Sequence, residues 1–149
     1  PRSPFEQANG AFTSLYVGAG FRDKATTGSG RFEIRKSEEG QRYMVATAAA
    51  RELSEQLSFG AAGRFEQNNN ELIPDERRFE ARIGASWRPH DEGVVIFNRL
   101  DVKQQSVDLE TRSWKAVHNF ALNAQATERL HLSFNHGLKF SAFSADGSD

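Results

Sequence analysis

Glu80 and Asp101 are the two carboxylates that come closest to a general acid and base pair. They fall on the polar side of two neighbouring strand-like segments, where both could reach one substrate. Four cationic residues surround them: Arg78, Arg82, Arg99 and Lys103. An ion-pair ladder across a sheet accounts for the same residues, and we favour it over catalysis. The sequence has no Ser-His-Asp order, phosphate-binding loop or glycine-rich dinucleotide motif, so we do not expect an enzyme.

Two histidines offer the next candidate chemistry. His118 and His136 face each other if residues whose numbers sum to 254 pair in the last hairpin, and imidazoles are zinc ligands. No Cys, Asp or Glu joins them on that side, and the chain has no Cys. We therefore predict neither a metal site nor a cofactor. Both histidines, like Asn98 nearby, fall among apolar positions, where a polar group facing lipid is costly.

The remaining candidate function belongs to a whole polar face. The residues that share it number twelve cationic and four acidic: Arg22, Arg31, Glu33, Arg35, Arg42, Arg64, Glu66, Arg78, Glu80, Arg82, Arg99, Asp101, Lys103, Lys115, Arg129 and Lys139. Eight of these are the predicted lumen lining: Arg64, Glu66, Arg78, Glu80, Arg82, Arg99, Asp101 and Lys103. A basic lumen would favour anions in a water-filled pore. The simpler interpretation is a strand face whose charges are solvated and paired with one another.

These candidates depend on strands, because charged residues alternate with apolar ones. Residues 78–88 carry Phe, Ala, Ile, Ala and Trp at odd numbers and mostly charged side chains at even numbers. Residues 129–140 repeat the alternation with Leu and Phe. A period of two indicates a strand with one face in an apolar medium and the other in a polar one. Its recurrence along nearly the whole chain, with almost no helical signal, is typical of a transmembrane β-barrel.

We therefore predict an all-β fold, a single domain over 1–149 in which about eight antiparallel strands form an up-and-down meander. The meander is either a transmembrane β-barrel or a segment of a larger one, and it either forms a pore or serves as a passive membrane anchor. The strands are predicted at 11–22, 30–36, 41–51, 55–67, 76–88, 93–105, 112–125 and 128–143, with irregular ends at 1–10 and 144–149.

The predicted connections are of two kinds. Short turns at 52–54, 89–92 and 126–128 alternate with longer polar connections at 68–75 and 106–111. Periplasmic turns and external loops alternate in this way in outer-membrane barrels. Residues 23–29 would then be periplasmic and are long for a turn.

Composition agrees with this fold and excludes other classes. The chain is long enough for one domain, and its net charge of −1 with no basic tail indicates no nucleic-acid partner. Mean hydropathy is −0.64, and no apolar run approaches the roughly 18 residues of a transmembrane helix. Transmembrane strands need only about 9–11 residues, half of them apolar. The first residues, PRSPFE, are not a signal peptide, so we expect a removed signal or an internal piece of a longer protein.

Aromatic residues are candidates for the membrane interfaces. Trp87 fits the periplasmic end of its strand and Trp114 the external end, as in the aromatic girdles of barrels. Tyr43 could contribute to the same girdles. Tyr16 falls on the polar face and does not fit them.

Three segments resemble bacterial outer-membrane β-barrel proteins: WRPHDEGVVIFNRLDVKQQ (87–105), VATAAARELSEQLSFGAAGRFEQ (45–67) and ATERLHLSFNHGLKF (126–140). In each, a short polar turn connects one strand to a returning strand. More narrowly, residues 41–143 are similar to the barrel region of large, mostly uncharacterised outer-membrane proteins. The resemblance implies a bacterial outer-membrane location with membrane lipid as the partner. It implies no catalytic or ligand residues.

The last residues differ from that family. Outer-membrane barrels usually end on a strand with a terminal aromatic residue, whereas this chain ends SADGSD. We therefore expect a fragment, with the rest of a larger barrel chain as its partner. An eight-stranded barrel closed on itself is one alternative. A soluble lipocalin-like barrel, with its apolar face inward around a small hydrophobic ligand, is an alternative of a different class.

Overall fold

A computed structural model describes residues 12–38, 40–70, 74–89, 93–108 and 111–145. Its strands are β1 (Phe12–Arg22), β2 (Thr26–Ser37), β3 (Gly40–Glu52), β4 (Leu57–Asn70), β5 (Glu76–Trp87), β6 (Val94–Val107), β7 (Thr111–Thr127) and β8 (Leu130–Ala145). They form one sheet in chain order, each antiparallel to the next. The predicted all-β meander of eight strands is confirmed. Within the described ranges, β1 and β8 are not paired with each other.

Among the described residues, no helix is long and apolar enough to cross a membrane. Residues 1–11 and 146–149, which hold most of the two predicted irregular ends, lie outside the described ranges. Residues 144 and 145, predicted to be irregular, instead complete β8.

The first hairpin is tighter than predicted. β2 begins at Thr26 instead of residue 30, which shortens the first connection to residues 23–25. The N–H groups of Ala25 and Thr26 donate hydrogen bonds to Asp23 Oδ1 at 2.9 and 2.6 Å, a local bond that favours Asp in turns. The glycine-rich start of β2 is a poor strand former alone, but it pairs with β1, and the Phe21 ring lies over Gly28.

The two ends of the sheet do not differ in connection length as predicted. End A, with connections 23–25, 53–56, 88–93 and 128–129, has loops as long as those of end B, with connections 38–39, 71–75 and 108–110. The prediction of longer polar loops at end B was wrong, because β4 continues through Asn70 and β6 through Val107. Polar residues remain in a strand there because the ladder is formed by backbone groups, as at Gln41 opposite Asn69.

The last hairpin has a different register from the predicted one. His118 lies opposite Leu138 and Phe120 opposite His136, so paired residue numbers sum to 256. The predicted pairing of His118 with His136 is therefore wrong by two residues. A shift of two leaves every side chain on its predicted face, so the apolar alternation could not distinguish the two registers.

The sheet is curved, and its charged face is concave. One cleft of about 540 Å³ is lined by residues of every strand from β2 to β7, including Arg31 at one side and Lys115 at the other. Six strands about 4.8 Å apart would spread over about 24 Å in a flat sheet. The sheet therefore bends around the cleft. We call the face that carries Arg31 and Lys115 the concave face and the opposite one the convex face.

The convex face carries the apolar residues, and they are exposed. Phe79, Ile83 and Trp87 on β5 are 42, 47 and 42% exposed, and no apolar side chain is buried in the described part of the chain. This is the reverse of a water-soluble domain, in which such side chains form a core. The protein described here therefore presents its apolar surface outward.

The apolar surface forms a band of limited height. On β5 it runs from Phe79 to Trp87, which is nine residues, and on β7 from Trp114 to Ala124, which is eleven. Polar side chains bound the band at end B of the convex face: Lys36, Gln41, Gln67, Arg77, Gln104 and Arg112. The convex face is thus apolar in its middle and polar at its end-B margin.

Candidate functional site: the charged concave face

The strand register places nearly all the predicted polar-face residues together. All eight predicted lumen residues lie on the concave face of β4, β5 and β6. Of the sixteen polar-face residues, only Arg129 lies elsewhere, in the 128–129 turn. Glu52 and Glu76 join the same face, so it holds eleven cations and six carboxylates in the described strands. The excess is five positive charges.

Three carboxylates on this face are each shared by two arginines. Glu33 lies 2.8 Å from an Arg31 nitrogen and 3.5 Å from an Arg35 nitrogen, all on β2. Because each group has two guanidiniums and one carboxylate, it retains one positive charge. We call such a group a shared-carboxylate triad.

The second triad joins two strands. Glu66 on β4 lies 2.9 Å from an Arg42 nitrogen on β3 and 2.8 Å from an Arg64 nitrogen on β4. The Glu66 side chain is only 13% exposed, whereas the two arginines are 36 and 42% exposed. The carboxylate therefore lies under the guanidiniums, and the positive groups face the concave space.

The third triad contains one member of the suspected acid and base pair. Asp101 on β6 binds Arg82 across the strands and Arg99 within its own strand, the latter at 2.9 Å. Glu80 on β5 lies 3.2 Å from Lys103 Nζ on β6. Both carboxylates are held by cations across the β5–β6 pair, as in an ion-pair ladder.

A further carboxylate on this face was missed from the sequence. Glu76 Oε1 accepts hydrogen bonds from Arg78 at 2.9 Å and from Gln105 Nε2 at 2.7 Å. Glu76 has an even residue number, as Arg78 does, and even-numbered residues of this strand lie on the polar face. This was the signal that the sequence contained. It was overlooked because Glu76 begins its strand next to a segment predicted as a loop.

Several hydrogen-bond donors on the concave face have no acceptor. The Nε atoms of Arg35, Arg64 and Arg78 have no hydrogen-bond partner among the described residues. Lys115 and Lys139, on β7 and β8, have no carboxylate within ion-pair distance in those same ranges. The face therefore has cationic groups in excess of its own carboxylates.

Contacts with arginines account for the position of two aromatic residues on this face. The Arg31 guanidinium lies 4.9 Å from the centre of the Tyr16 ring, and that of Arg35 lies 4.5 Å from the centre of the Phe12 ring. Cations bind aromatic faces in this way. Tyr16 thus belongs to the charged surface, which is why it did not fit an interfacial girdle.

The concave face changes in character from end A to end B. At end B it is lined by the Glu33 and Glu66 triads, and the Asp101 triad lies nearer the middle, level with Ala62 and Gly84. Toward end A its residues are mostly small: Gly20, Ser29, Ala48, Ala50, Ser58, Gly60, Gly84 and Ser86. A cleft of about 510 Å³ lies over this small-residue half, with Arg22, Arg82 and Arg99 among its lining residues. We call it the end-A cleft, and the 540 Å³ cleft the central cleft.

The two histidines lie on the convex face as diagonal neighbours and are not directly opposite each other. His118 Nε2 is 3.1 Å from Asn98 Oδ1, and His136 is opposite Phe120. No group of three metal-ligating side chains exists among the described residues. The Asn98–His118 hydrogen bond partly satisfies two polar groups within the apolar band, which reduces the cost noted from the sequence.

Both tryptophans lie on the convex face, at opposite margins of the apolar band. Trp87 ends β5 at end A and is 42% exposed, and Trp114 lies near the end-B start of β7 and is 45% exposed.

Comparisons of the chain with protein-family models, with curated proteins and with solved structures found no match. The functional argument therefore rests on the geometry of the two faces.

Proposed function

We propose that this chain is a bacterial outer-membrane β-barrel segment whose convex face contacts lipid and whose concave face borders a water-filled lumen that favours anions. The observation that carries the proposal is the direction of curvature. The charged face is concave and the apolar face convex, which is the arrangement that a transmembrane barrel requires. The partners would be outer-membrane lipid and the rest of a larger barrel chain.

The dimensions of the apolar band support the lipid contact. Its nine residues on β5 and eleven on β7 match the length of a tilted transmembrane strand, about 9–11 residues. The tryptophans lie at its margins, where interfacial aromatic residues would be expected. At end B, polar convex residues begin where the band ends, as expected where a strand leaves the hydrocarbon.

The charge of the concave face supports the anion preference. Five more cations than carboxylates lie on that face, and each triad keeps one positive charge. Aqueous surfaces with an excess of one sign concentrate ions of the opposite sign. The same face could also serve a passive membrane anchor, for which the excess charge would have no role in transport.

The lipocalin-like alternative would require the opposite curvature, because its apolar face must surround the ligand. One observation favours it. The Asn98–His118 hydrogen bond lies in the middle of the apolar band, where a protein interior is a more usual environment than lipid. The curvature outweighs this observation. One partly satisfied polar pair is tolerable in lipid, whereas a lipocalin-like barrel with the observed curvature would enclose the charged face in its core, which is not tolerable.

The test is to fold the chain with and without lipid vesicles and to locate its aromatic residues. β structure measured by circular dichroism, with blue-shifted Trp87 and Trp114 emission, should appear only with vesicles. Brominated lipids should then quench both tryptophans, because bromine quenches rings that touch acyl chains. Folding to a soluble monomer in buffer would overturn the proposal and favour the lipocalin-like alternative.

A matched control uses Phe97, which is on the concave face and 38% exposed. A Phe97→Trp variant, with Trp87 and Trp114 replaced by Phe, carries its only indole on the opposite side of the same sheet. Aqueous acrylamide should quench this indole, and brominated lipids should not. Equal lipid quenching at residues 87 and 97 would contradict the assignment of the two faces.

A further inference from the structure

The central cleft brings cations from five different strands around one space. Five strands contribute one each: Arg31 (β2), Arg64 (β4), Arg82 (β5), Lys103 (β6) and Lys115 (β7). Among the described residues, two carboxylates, Glu80 and Asp101, line the same cleft. The cleft therefore has three more positive than negative groups on its walls.

These cations remain available despite their ion pairs. The side chains of Arg31, Arg64, Arg82 and Lys103 keep 52, 42, 61 and 42% of their exposure. Lys115 is exposed and has no carboxylate partner among the described residues. An arginine that binds one carboxylate uses only part of its five N–H donors, so each guanidinium can donate to a ligand as well.

The floor of the cleft is made of small side chains. Ala46, Ala48 and Ala62, on the two strands between Arg31 and Arg82, leave the space open beneath the cations. A space of about 540 Å³ falls within the roughly 300–1,000 Å³ of ligand sites in proteins. Long cationic side chains surround a shallow floor of small residues, so hydrogen-bond donors line the walls of the cleft.

We infer that the central cleft is a saturable binding site for a small multivalent oxyanion of the phosphate or carboxylate class. Several oxygens of one such anion can accept hydrogen bonds from cations on separate strands at once. The inference rests on the proposed function in one respect, that the concave face borders water. It goes further in assigning a bound state with defined stoichiometry, which a merely basic lumen would lack.

The experiment is calorimetric titration of the full chain, refolded in lipid vesicles, with inorganic tripolyphosphate and separately with citrate. One anion should bind per chain. Lys115→Gln should weaken binding about five- to tenfold, as expected for the loss of one charge-assisted contact. Because Lys115 has no ion pair in the described residues, its replacement leaves no carboxylate unpaired.

Lys36→Gln is the matched control. It removes the same charge from an exposed lysine, but on the convex face at end B. Its affinity for either anion should be unchanged. Weaker binding of both anions by Lys115→Gln would show a general oxyanion site, and an effect on one alone would assign the phosphate or the carboxylate class.

The outcomes separate the inference from the proposed function. If the chain folds only with lipid but binding does not saturate, or falls equally in the two variants, the oxyanion site is overturned and the membrane proposal stands. If the chain folds in buffer and still binds one anion in a Lys115-dependent manner, the site stands and the membrane proposal is overturned.

Discussion

The two faces of the same sheet show opposite relations between polarity and exposure. On the convex face, large apolar side chains are exposed, as Ile83 is at 47%. On the concave face, carboxylates such as Glu66 are 13% exposed and bound by two arginines. The difference shows that ion pairs stabilise the concave face of this sheet, whereas its convex face needs an apolar medium.

The largest expected effect comes from placing a charge on each face. Ala48 and Ala49 are adjacent on β3, both are exposed, and they point to opposite faces. Ala49→Lys places a charge on the convex band, level with Ala61 and Ile83. It should lower the free energy of unfolding in vesicles by about 2–4 kcal/mol, the cost of Lys near the bilayer centre.

Ala48→Lys is the control for that variant, because the same side chain enters the concave face from the neighbouring residue. It should cost less than about 1 kcal/mol, as for an exposed charge in water. Urea unfolding in vesicles, followed by tryptophan emission, measures both. Equal losses in the two variants would remove the distinction between the faces.

The next largest effect comes from breaking a shared-carboxylate triad. Glu66→Gln leaves Arg42 and Arg64 without their carboxylate, and we expect a loss of about 1–3 kcal/mol in unfolding free energy. Glu80→Gln is the comparison, because Glu80 is 40% exposed and has one lysine partner. It should cost at most about 1 kcal/mol, as for an exposed ion pair. A larger loss for Glu80→Gln would show that sharing and burial do not set the strength of these pairs.

A smaller effect concerns the polar pair on the convex face. Asn98→Leu or His118→Leu alone leaves one polar group unsatisfied and should cost about 1–2 kcal/mol. The double variant replaces both partners by apolar groups and should be about as stable as the wild type. A double-mutant cycle of unfolding in vesicles measures the coupling, and additive losses would mean that the hydrogen bond does not form in the folded protein.

The smallest effect lies outside both faces, in the first turn. The N–H groups of Ala25 and Thr26 hold the pKa of Asp23 below its usual value. A lowered pKa in the folded state adds stability above the unfolded pKa, near 4, and that stability is lost as the pH falls through the folded value. Asp23→Asn keeps the acceptor and removes the charge, so it should abolish this small dependence. The urea midpoint at pH 5 and pH 3 measures it, and an unchanged dependence would assign it to another group.

Much of the fold followed from the alternation of residue types. Because every second residue contacts the same medium, the sequence allowed prediction of eight strands and placed Arg64, Glu80 and Asp101 on one face. The ends of β2 and β4 could not be predicted in this way. Glycine and asparagine there are poor strand formers, and only pairing with a neighbouring strand keeps them extended.

The pairing register of the strands shows more clearly what the alternation of residue types cannot predict. Between β5 and β6, the oppositely charged Glu80 and Lys103 lie directly across from each other, and so do Arg82 and Asp101. A slip of two residues would break these pairs. Between β7 and β8, no ion pair joins the described residues, and the hydrophobic pattern alone allowed a two-residue error. Charge pairs can specify register where apolar periodicity cannot.

The division of the concave face into a small-residue half and a half with longer side chains has a consequence for current. Gly, Ala and Ser are short and arginines are long, so a passage along this face narrows from end A toward end B, and its excess of cations is greatest midway, level with Arg31, Arg64, Lys103 and Lys115. In the proposed pore, an anion entering at end A would meet the wide stretch first, and one entering at end B would meet the narrow stretch first. Such an asymmetric passage rectifies, so anion current at equal and opposite voltages would differ in size.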